Sequence, residues 1–164
     1  MTARYEISRT ELHGFNENAG VYKSMIRPVM MYGAEAWTLT RKEEELLERA
    51  EMRMLRWIIG VSLRDRRRNE DIREVLGVAC ITDKVRETRM RWYGHVMRRE
   101  DGCCIKRIMN AEVYGRRSIG RQKKRWRDKI QEDLKTLKLK KENADDRNKW
   151  RRRMRVADPS PRRD

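Results

Sequence analysis

The sequence predicts an all-α fold: a small basic helical domain of about five or six helices, followed by a disordered C-terminal tail. Apolar residues recur at spacings of three and four in several segments, which is the period of an amphipathic helix. No segment shows the strict alternation that is typical of a half-buried strand. Charged residues make up 41% of the chain and hydrophobic residues 38%, so the core is expected to be thin.

The first helical pattern starts at Val21 and continues through Met30. Residues 1–20 show no clear period, and we expect them to form a poorly ordered N-terminal segment. Pro28 lies inside the helical pattern and should kink the helix or start a new turn, because its ring clashes with the preceding turn. Gly33 falls on the same stripe, where its missing side chain would allow another backbone to come close.

The next helix is predicted from residue 40 to residue 60. Thr40 and Glu43 have the spacing of a capping box, and Gly60 is a left-handed stop. The predicted buried face of this helix consists of Leu47, Ala50, Met54, Trp57 and Ile58.

Two further helices are predicted after it. The first is short, capped by Asn69 and ended by Gly77. The second covers about residues 82–99 and contains the sequence RWYGHV. Gly94 lies inside this second helix and costs about 1 kcal/mol relative to alanine, which indicates that another group closely approaches the helix there. The predicted inward stripe is Val85, Trp92 and Val96, with Arg91 and Arg98 pointing the other way.

A glycine-punctuated basic loop follows and leads into an amphipathic helix that starts near Trp126. Trp150 and Met154 indicate one more short helix in an otherwise polar tail. The predicted organisation is therefore a segment of residues 1–20, a helical domain of residues 21–137 and a basic tail of residues 138–164. The side chains predicted to be buried in the domain are Leu47, Met54, Ile58, Trp92, Val96, Trp126 and Ile130.

The charge balance favours a polyanionic partner. Lysine and arginine number 42 against 26 acidic residues, which gives a net charge of +16 and makes nucleic acid the leading partner class. A run of about 18 apolar residues, which a membrane span would need, is missing from the sequence. The N-terminus carries no apolar signal segment. The three cysteines, two of them adjacent, favour reduced thiols in an intracellular compartment.

The strongest functional pattern is the basic segment of residues 84–127, which has fifteen lysines and arginines against four acids. Such residues contact phosphates, and interleaved aromatic rings stack on unpaired bases. A solvated charged surface is the alternative interpretation. The residues we predict to bind nucleic acid are Arg86, Arg91, Arg98, Arg116, Arg117, Arg121, Lys123, Lys124, Arg125 and Arg127.

Three other patterns predict no chemistry. Asp145 and Asp146 superficially resemble a polymerase aspartate pair, but their charged flanks favour a solvated helix start with acids at the positive end of the dipole. His95 with the adjacent Cys103 and Cys104 offers too few ligands for zinc, which usually takes four. None of the cysteines has an evident partner base. We therefore predict no catalytic residue, no metal site and no cofactor.

Several motifs appear together in one order: YGAEAW at Tyr32–Trp37, RWYGHV at Arg91–Val96 and GRRSIGR at Gly115–Arg121. From about Val21 to Trp150 this series resembles the C-terminal part of RTE-type non-LTR retrotransposon reverse transcriptases. The first motif resembles the start of the polymerase thumb, and the last one resembles the basic loop of the family. The family usually has proline where this chain has Gln122, so the loop is expected to be less stiff here.

The resemblance implies a binding role, because it covers the region after the palm domain that carries the metal-binding aspartates of these RNA-directed DNA polymerases. Endonuclease, fingers and palm have no counterpart here, and residues 1–20 do not resemble the helix before the thumb. We expect a truncated, degenerate or newly started copy that is not an enzyme on its own. It would bind template RNA and primer, or the DNA backbone, in the nucleus.

Two alternatives remain open. Residues 69–76 followed by residues 82–99 could form a helix-turn-helix of a DNA-binding regulator. The chain could also be the non-functional product of a decayed element.

Overall fold

The computed structural model describes residues 9–111, 120 and 125–160 of the chain. All regular secondary structure in these residues is helical, which confirms the predicted all-α fold. Within the same residues, no helix is long and apolar enough to cross a membrane.

The described residues contain eight α-helices, more than the five or six that were predicted, with short 3-10 and π-helical turns between some of them. The α-helices are α1 (Arg9–Val21), α2 (Arg27–Met30), α3 (Arg41–Ile58), α4 (Asn69–Leu76), α5 (Ile81–Met97), α6 (Cys104–Asn110), α7 (Trp126–Thr136) and α8 (Arg147–Met154). Helices α1 and α6 were not predicted from the sequence pattern. The predicted short helix around Trp150 is confirmed as α8, within the segment that was predicted to be a basic polar tail.

The described residues divide into two compact units. Unit 1 comprises residues 9–32, 41–84 and 156–160, and unit 2 comprises residues 33–40, 85–111, 120 and 125–155. These boundaries differ from the three segments that the sequence suggested. The C-terminal residues are divided between the two units: α8 belongs to unit 2, and the described residues from 156 onward belong to unit 1.

Unit 1 is built on α1, α3 and α4, whose apolar side chains form its core together with Tyr22 of the π-helical turn Tyr22–Ile26. Tyr22, Leu55 and Leu76 are fully buried there, and Ile72 and Met52 are nearly so. Residues 9–20, expected to be poorly ordered, supply α1.

A carboxylate lies inside this core. Glu51 is fully buried; it accepts hydrogen bonds from the Tyr22 hydroxyl at 2.9 Å, from Arg73 Nη2 at 3.0 Å and from the Ile81 amide at 3.3 Å. Burial is the largest cause that raises the pKa of Tyr22 above its ordinary value, and the neighbouring Glu51 charge raises it further. Tyr22 therefore stays a neutral donor. A buried charge needs such partners to be tolerated in an apolar interior.

The buried face of α3 differs from the prediction because of this network. Glu51, Met52 and Leu55 face inward, whereas Leu47, Met54 and Ile58 are only partly buried. Trp57, predicted to lie in the core, is 82% exposed. The pattern rule places apolar residues inward and acids outward. Hydrogen bonds from Tyr22, Arg73 and the Ile81 amide satisfy the Glu51 carboxylate in the core, and Trp57 lies on a side of α3 that faces solvent.

The glycine and proline positions that were predicted to end or start helices agree better with the structure than the predicted buried face of α3 does. Gly60 and Gly77 both have positive φ, 67° and 58°, which confirms them as left-handed stops. Pro28 lies in the first turn of α2, directly after the π-helical turn Tyr22–Ile26, so it starts a new turn as predicted. Asn69 does not cap α4. It is the first helical residue after the cap residue Arg68, and its side chain accepts a hydrogen bond from Arg56 Nη2 at 2.6 Å.

Unit 2 has a separate core formed by α5, α7 and α8. Met90, Tyr93, Ile130, Leu134 and Trp150 are buried together. The predicted burial of Val96 and Ile130 is confirmed, and Trp126 is partly buried. The Trp126 indole donates to the Glu35 carbonyl at 2.8 Å, which holds residues 33–40 in this unit.

The group that approaches Gly94 is the indole of Trp150. A Cβ placed on Gly94 would lie 2.7 Å from Trp150 Cδ1, closer than real atoms pack. The Trp150 side chain is 1% exposed, and its Nε1 donates to the Met90 carbonyl at 3.0 Å. The glycine thus makes room for an aromatic ring from the segment that was predicted to be a polar tail.

Gly33 has a different role from the predicted one. Its φ is +73°, and the nearest atom to an added Cβ is Trp37 Cζ2 at an ordinary 3.5 Å. Positive φ within the turn of residues 31–36, rather than close approach of another backbone, therefore accounts for glycine at this position.

A buried ion pair joins α5 to α7. Arg89 Nε lies 2.7 Å from Asp133 Oδ2, and both side chains are almost completely buried. Arg86 Nε lies 3.5 Å from Asp133 Oδ1. Arg86 and Arg89, two arginines of the basic segment, therefore form ion pairs with a carboxylate of their own unit.

Candidate nucleic-acid interface

An open cleft of about 650 Å³ lies in unit 2, beside α5 and α8. Its size is in the range of roughly 300–1,000 Å³ that is typical of ligand sites. The described residues that line it are Glu35, Thr88, Arg91, Trp92, His95, Arg98, Arg147, Trp150, Arg151 and Met154.

Helix α5 supplies one side of the cleft. Arg91, Trp92, His95 and Arg98 follow each other at spacings of one and three, so they cover one side of the helix. Tyr93 and Val96 occupy the opposite, buried side of the same helix. The alternation of aromatic and basic residues in this stretch is thus a division between a core-facing and a cleft-facing side.

Helix α8 supplies the facing arginines. Arg147 and Arg151 are four residues apart and share one side of the helix. Asp146 caps this helix, and its Oδ1 accepts from the amides of Asn148 and Lys149 at 3.0 Å each. The buried Trp150 fixes the rotation of α8, so the two arginines are directed by a core contact.

Trp92 was predicted to be in the core and is instead at the surface. It is 36% exposed and stacks on His95 with ring centroids 5.5 Å apart and planes at 21°. Trp150 occupies the buried position that was assigned to Trp92. Because a helix offers only one narrow inward side, Tyr93 and Gly94 facing inward leave Trp92 at the edge.

Hydrogen bonds orient the residues of α5 that line the cleft. Arg99 Nε and Nη2 lie 3.3 and 3.2 Å from His95 Nε2. Arg91 Nη2 lies 2.8 Å from Glu87 Oε1, and Arg98 Nη1 donates to the Ala144 carbonyl at 2.8 Å. These contacts restrict the side chains before any ligand arrives.

Positive charge dominates the cleft. Four arginines line it against one carboxylate, Glu35, among the described lining residues. Burial, and then the neighbouring charge of Arg147, lower the pKa of the Arg98 guanidinium. Within the described part of the chain, neither Arg147 nor Arg151 forms an ion pair. Such a concentration of cations attracts phosphate groups.

The residues predicted to bind nucleic acid fall into several places. Arg91 and Arg98 lie together in the cleft, whereas Arg127 lines a smaller cavity with Tyr93. Arg125 is exposed at the start of α7, and Arg86 is near Asp133. The other predicted binding residues, Arg116, Arg117, Arg121, Lys123 and Lys124, lie outside the described residues.

The sequence prediction missed Arg147 and Arg151, because they lie in a segment that was interpreted as a basic tail. The i, i+4 spacing of Trp150 and Met154 indicated a helix there, and the same spacing of Arg147 and Arg151 could have identified a basic face on it. The sequence prediction also missed Trp92 as a surface group. The predicted role of Asp146 as a helix-start acid is confirmed by its capping bonds.

No protein-family model matches the chain, and no solved structure matches it. The chain is 28% identical over 121 residues to an uncharacterized transposon-derived protein of Caenorhabditis elegans, and the match covers 71% of this chain and 43% of that protein. The chain thus spans less than half the length of this relative, and the similarity supports a transposon-related origin.

Proposed function

We propose that this chain is a non-catalytic, nucleic-acid-binding part of a retrotransposon reverse transcriptase, which holds template RNA and primer or the DNA backbone. The observation that carries the proposal is the cleft of unit 2, where Arg91, Arg98, Arg147 and Arg151 face one carboxylate. The similarity to a transposon-derived protein and the net charge of +16 support it. The RTE-type resemblance of the motifs supplies the finer assignment.

The proposed binding is mainly electrostatic. Each phosphate that is neutralised releases counterions, so the affinity falls as the salt concentration rises. On duplex DNA, the logarithm of the association constant falls against the logarithm of the salt concentration with a slope of about −0.9 per phosphate contact. Basic residues of the predicted loop add to the slope if they also contact phosphates. With roughly six to ten contacts in total, raising salt from about 50 to about 200 mM should weaken duplex binding about 10³- to 10⁵-fold.

The test is a salt titration of binding for the intact chain and for a variant with Arg147→Ala and Arg151→Ala. Each lost contact should reduce the salt slope by about 1, so this variant should have a slope that is smaller by about 2. Arg64→Ala with Arg68→Ala is the matched control, because both residues are exposed in unit 1 and the change in net charge is the same. Binding that does not respond to salt, or an equal change in the control, would argue against the cleft.

A helix-turn-helix regulator is the second candidate, favoured by the four-residue connection with Gly77 between α4 and α5. In such a motif the start of the second helix contacts base edges. Ile81 is fully buried and Lys84 Nζ donates to the Val156 carbonyl at 2.6 Å, so few side chains there are available. A strong preference for one duplex sequence that is lost in Arg86→Ala would favour this candidate over the backbone-binding proposal.

A further inference from the structure

Trp92 and His95 form an aromatic surface that the core of unit 2 does not use. The core is completed by Met90, Tyr93 and Trp150, while His95 is exposed and Trp92 is exposed by a third. A tryptophan that is partly in water gives up part of its hydrophobic stabilisation. The two rings are nearly parallel, so the imidazole lies against one face of the indole, inside a cationic cleft.

The surroundings of this pair suit one class of ligand. Arg91 and Arg98 line the same cleft from α5, and Arg147 and Arg151 line it from α8. Proteins that bind single strands combine a positive groove along the backbone with aromatic rings on which bases stack. A duplex offers the phosphates but hides the faces of its bases in the stack.

We propose that Trp92, supported by His95, is a stacking platform for an unpaired base, and that Arg147 and Arg151 contact the phosphates next to that base. This inference rests on the proposed function and adds the ligand class, a single-stranded segment of nucleic acid. Stacking is tolerant of base identity because every base has a π-face. The platform therefore selects unpaired over paired nucleotides without selecting a sequence.

The support from His95 has a structural basis. Arg99 donates to His95 Nε2, which limits rotation of the imidazole, and the imidazole covers one side of the Trp92 indole at 5.5 Å. A ring that is already held costs less side-chain entropy when a base stacks on it.

The first test needs no mutation. The intact chain is titrated with a single strand of about 12 nucleotides and with the same strand carrying abasic residues at its central positions, so that the phosphate charge is unchanged. Removing the bases should weaken binding about 5- to 150-fold for one stacked base. Equal affinity for the two strands would overturn the proposal. The same titration with RNA and with DNA versions of the strands identifies which sugar is preferred.

The second test locates the effect. In Trp92→Leu the difference between the two strands should largely disappear, while affinity for a duplex of the same sequence stays within about 2-fold, since phosphate contacts remain. Trp92→Tyr should restore most of the difference, because it keeps an aromatic face. Trp57→Leu is the control: it removes an 82% exposed tryptophan from unit 1 and should retain the full difference.

The outcomes separate this inference from the proposed function. Absence of salt-dependent binding to any of the strands would remove both. Salt-dependent binding that is equal for base-bearing and abasic strands would keep the basic interface and remove the stacking platform. A base-dependent difference that survives in Trp92→Leu would overturn the assignment to Trp92.

Discussion

Two consecutive parts of the C-terminal segment are attached by different physical means, α8 to unit 2 by apolar burial and residues 156–158 to unit 1 by charge. Trp150 and Met154 of α8 are 1% and 4% exposed. Asp158 instead forms a two-pronged ion pair with Arg27, at 2.7 and 2.9 Å, and accepts from the Ala79 amide at 2.9 Å. Both parts come from a stretch that composition alone describes as polar.

The difference teaches which conditions each attachment should survive. Burial of an aromatic ring involves no titrating group, so it should be insensitive to pH. An ion pair requires an ionised carboxylate, and its strength changes with pH and, where solvent reaches it, with salt. The two attachments can therefore be broken one at a time.

The largest effect is expected from Trp150→Ala. Truncating a buried tryptophan costs about 3–5 kcal/mol in the free energy of unfolding, and here the loss also frees α8 with Arg147 and Arg151. Urea unfolding should report the loss, and nucleic-acid binding should weaken with it. Trp57→Ala is the matched control, because an 82% exposed ring should change stability by less than about 0.5 kcal/mol. Equal effects for the two tryptophans would contradict the apolar attachment.

A smaller effect of the same kind is expected from Gly94→Ala. Alanine ordinarily favours a helix by about 1 kcal/mol over glycine, but the added methyl would overlap the Trp150 indole. Overpacking of this kind costs about 1–3 kcal/mol, so the net change should be destabilising. Gly14→Ala in α1 is the control, because nothing lies within 4 Å of an added Cβ there. Stabilisation by Gly94→Ala would show that the indole moves aside freely.

The charged attachment should yield the smallest effect, and it should depend on pH. Burial tends to raise the pKa of Asp158, but hydrogen bonds from Arg27 and the Ala79 amide outweigh it and lower the pKa below its ordinary value. Because the folded pKa is lower than the unfolded one, this stabilisation is present above about pH 3.9 and is lost as the pH falls below it. At neutral pH, Asp158→Ala should cost about 1 kcal/mol.

Hydrogen exchange of the Ala79 amide measures this directly. Protection should fall in acid for the intact chain and should already be low at neutral pH in Asp158→Ala. Exchange of the Trp150 indole N–H, which donates to the Met90 carbonyl, should not respond over the same range. Protection of the Ala79 amide that persists unchanged in Asp158→Ala would show that the ion pair does not hold this segment.

Much of the fold could be predicted from local sequence patterns. Gly60 and Gly77 end α3 and α4 where glycine after an apolar stripe predicts a stop, and Pro28 starts a turn because its ring excludes the alternative. The cleft could be predicted from the sequence only in part. Arg91 and Arg98 were predicted as a basic surface of one helix, but their partners Arg147 and Arg151 come from about fifty residues further along the chain. No local period connects such distant segments.

By itself, the sequence determined the helical class, the turn positions and the surplus of positive charge, because each depends on neighbouring residues or on composition. Only the tertiary structure decided which tryptophans are buried. Trp57 and Trp92 belong to apolar stripes yet reach solvent, while Trp150, among arginines, is fully enclosed. The physical reason is that burial needs a matching partner surface. Trp150 has the space over Gly94 and the Met90 carbonyl to receive it, and the side of α3 that faces the core is filled by the hydrogen-bonded Glu51 instead of Trp57.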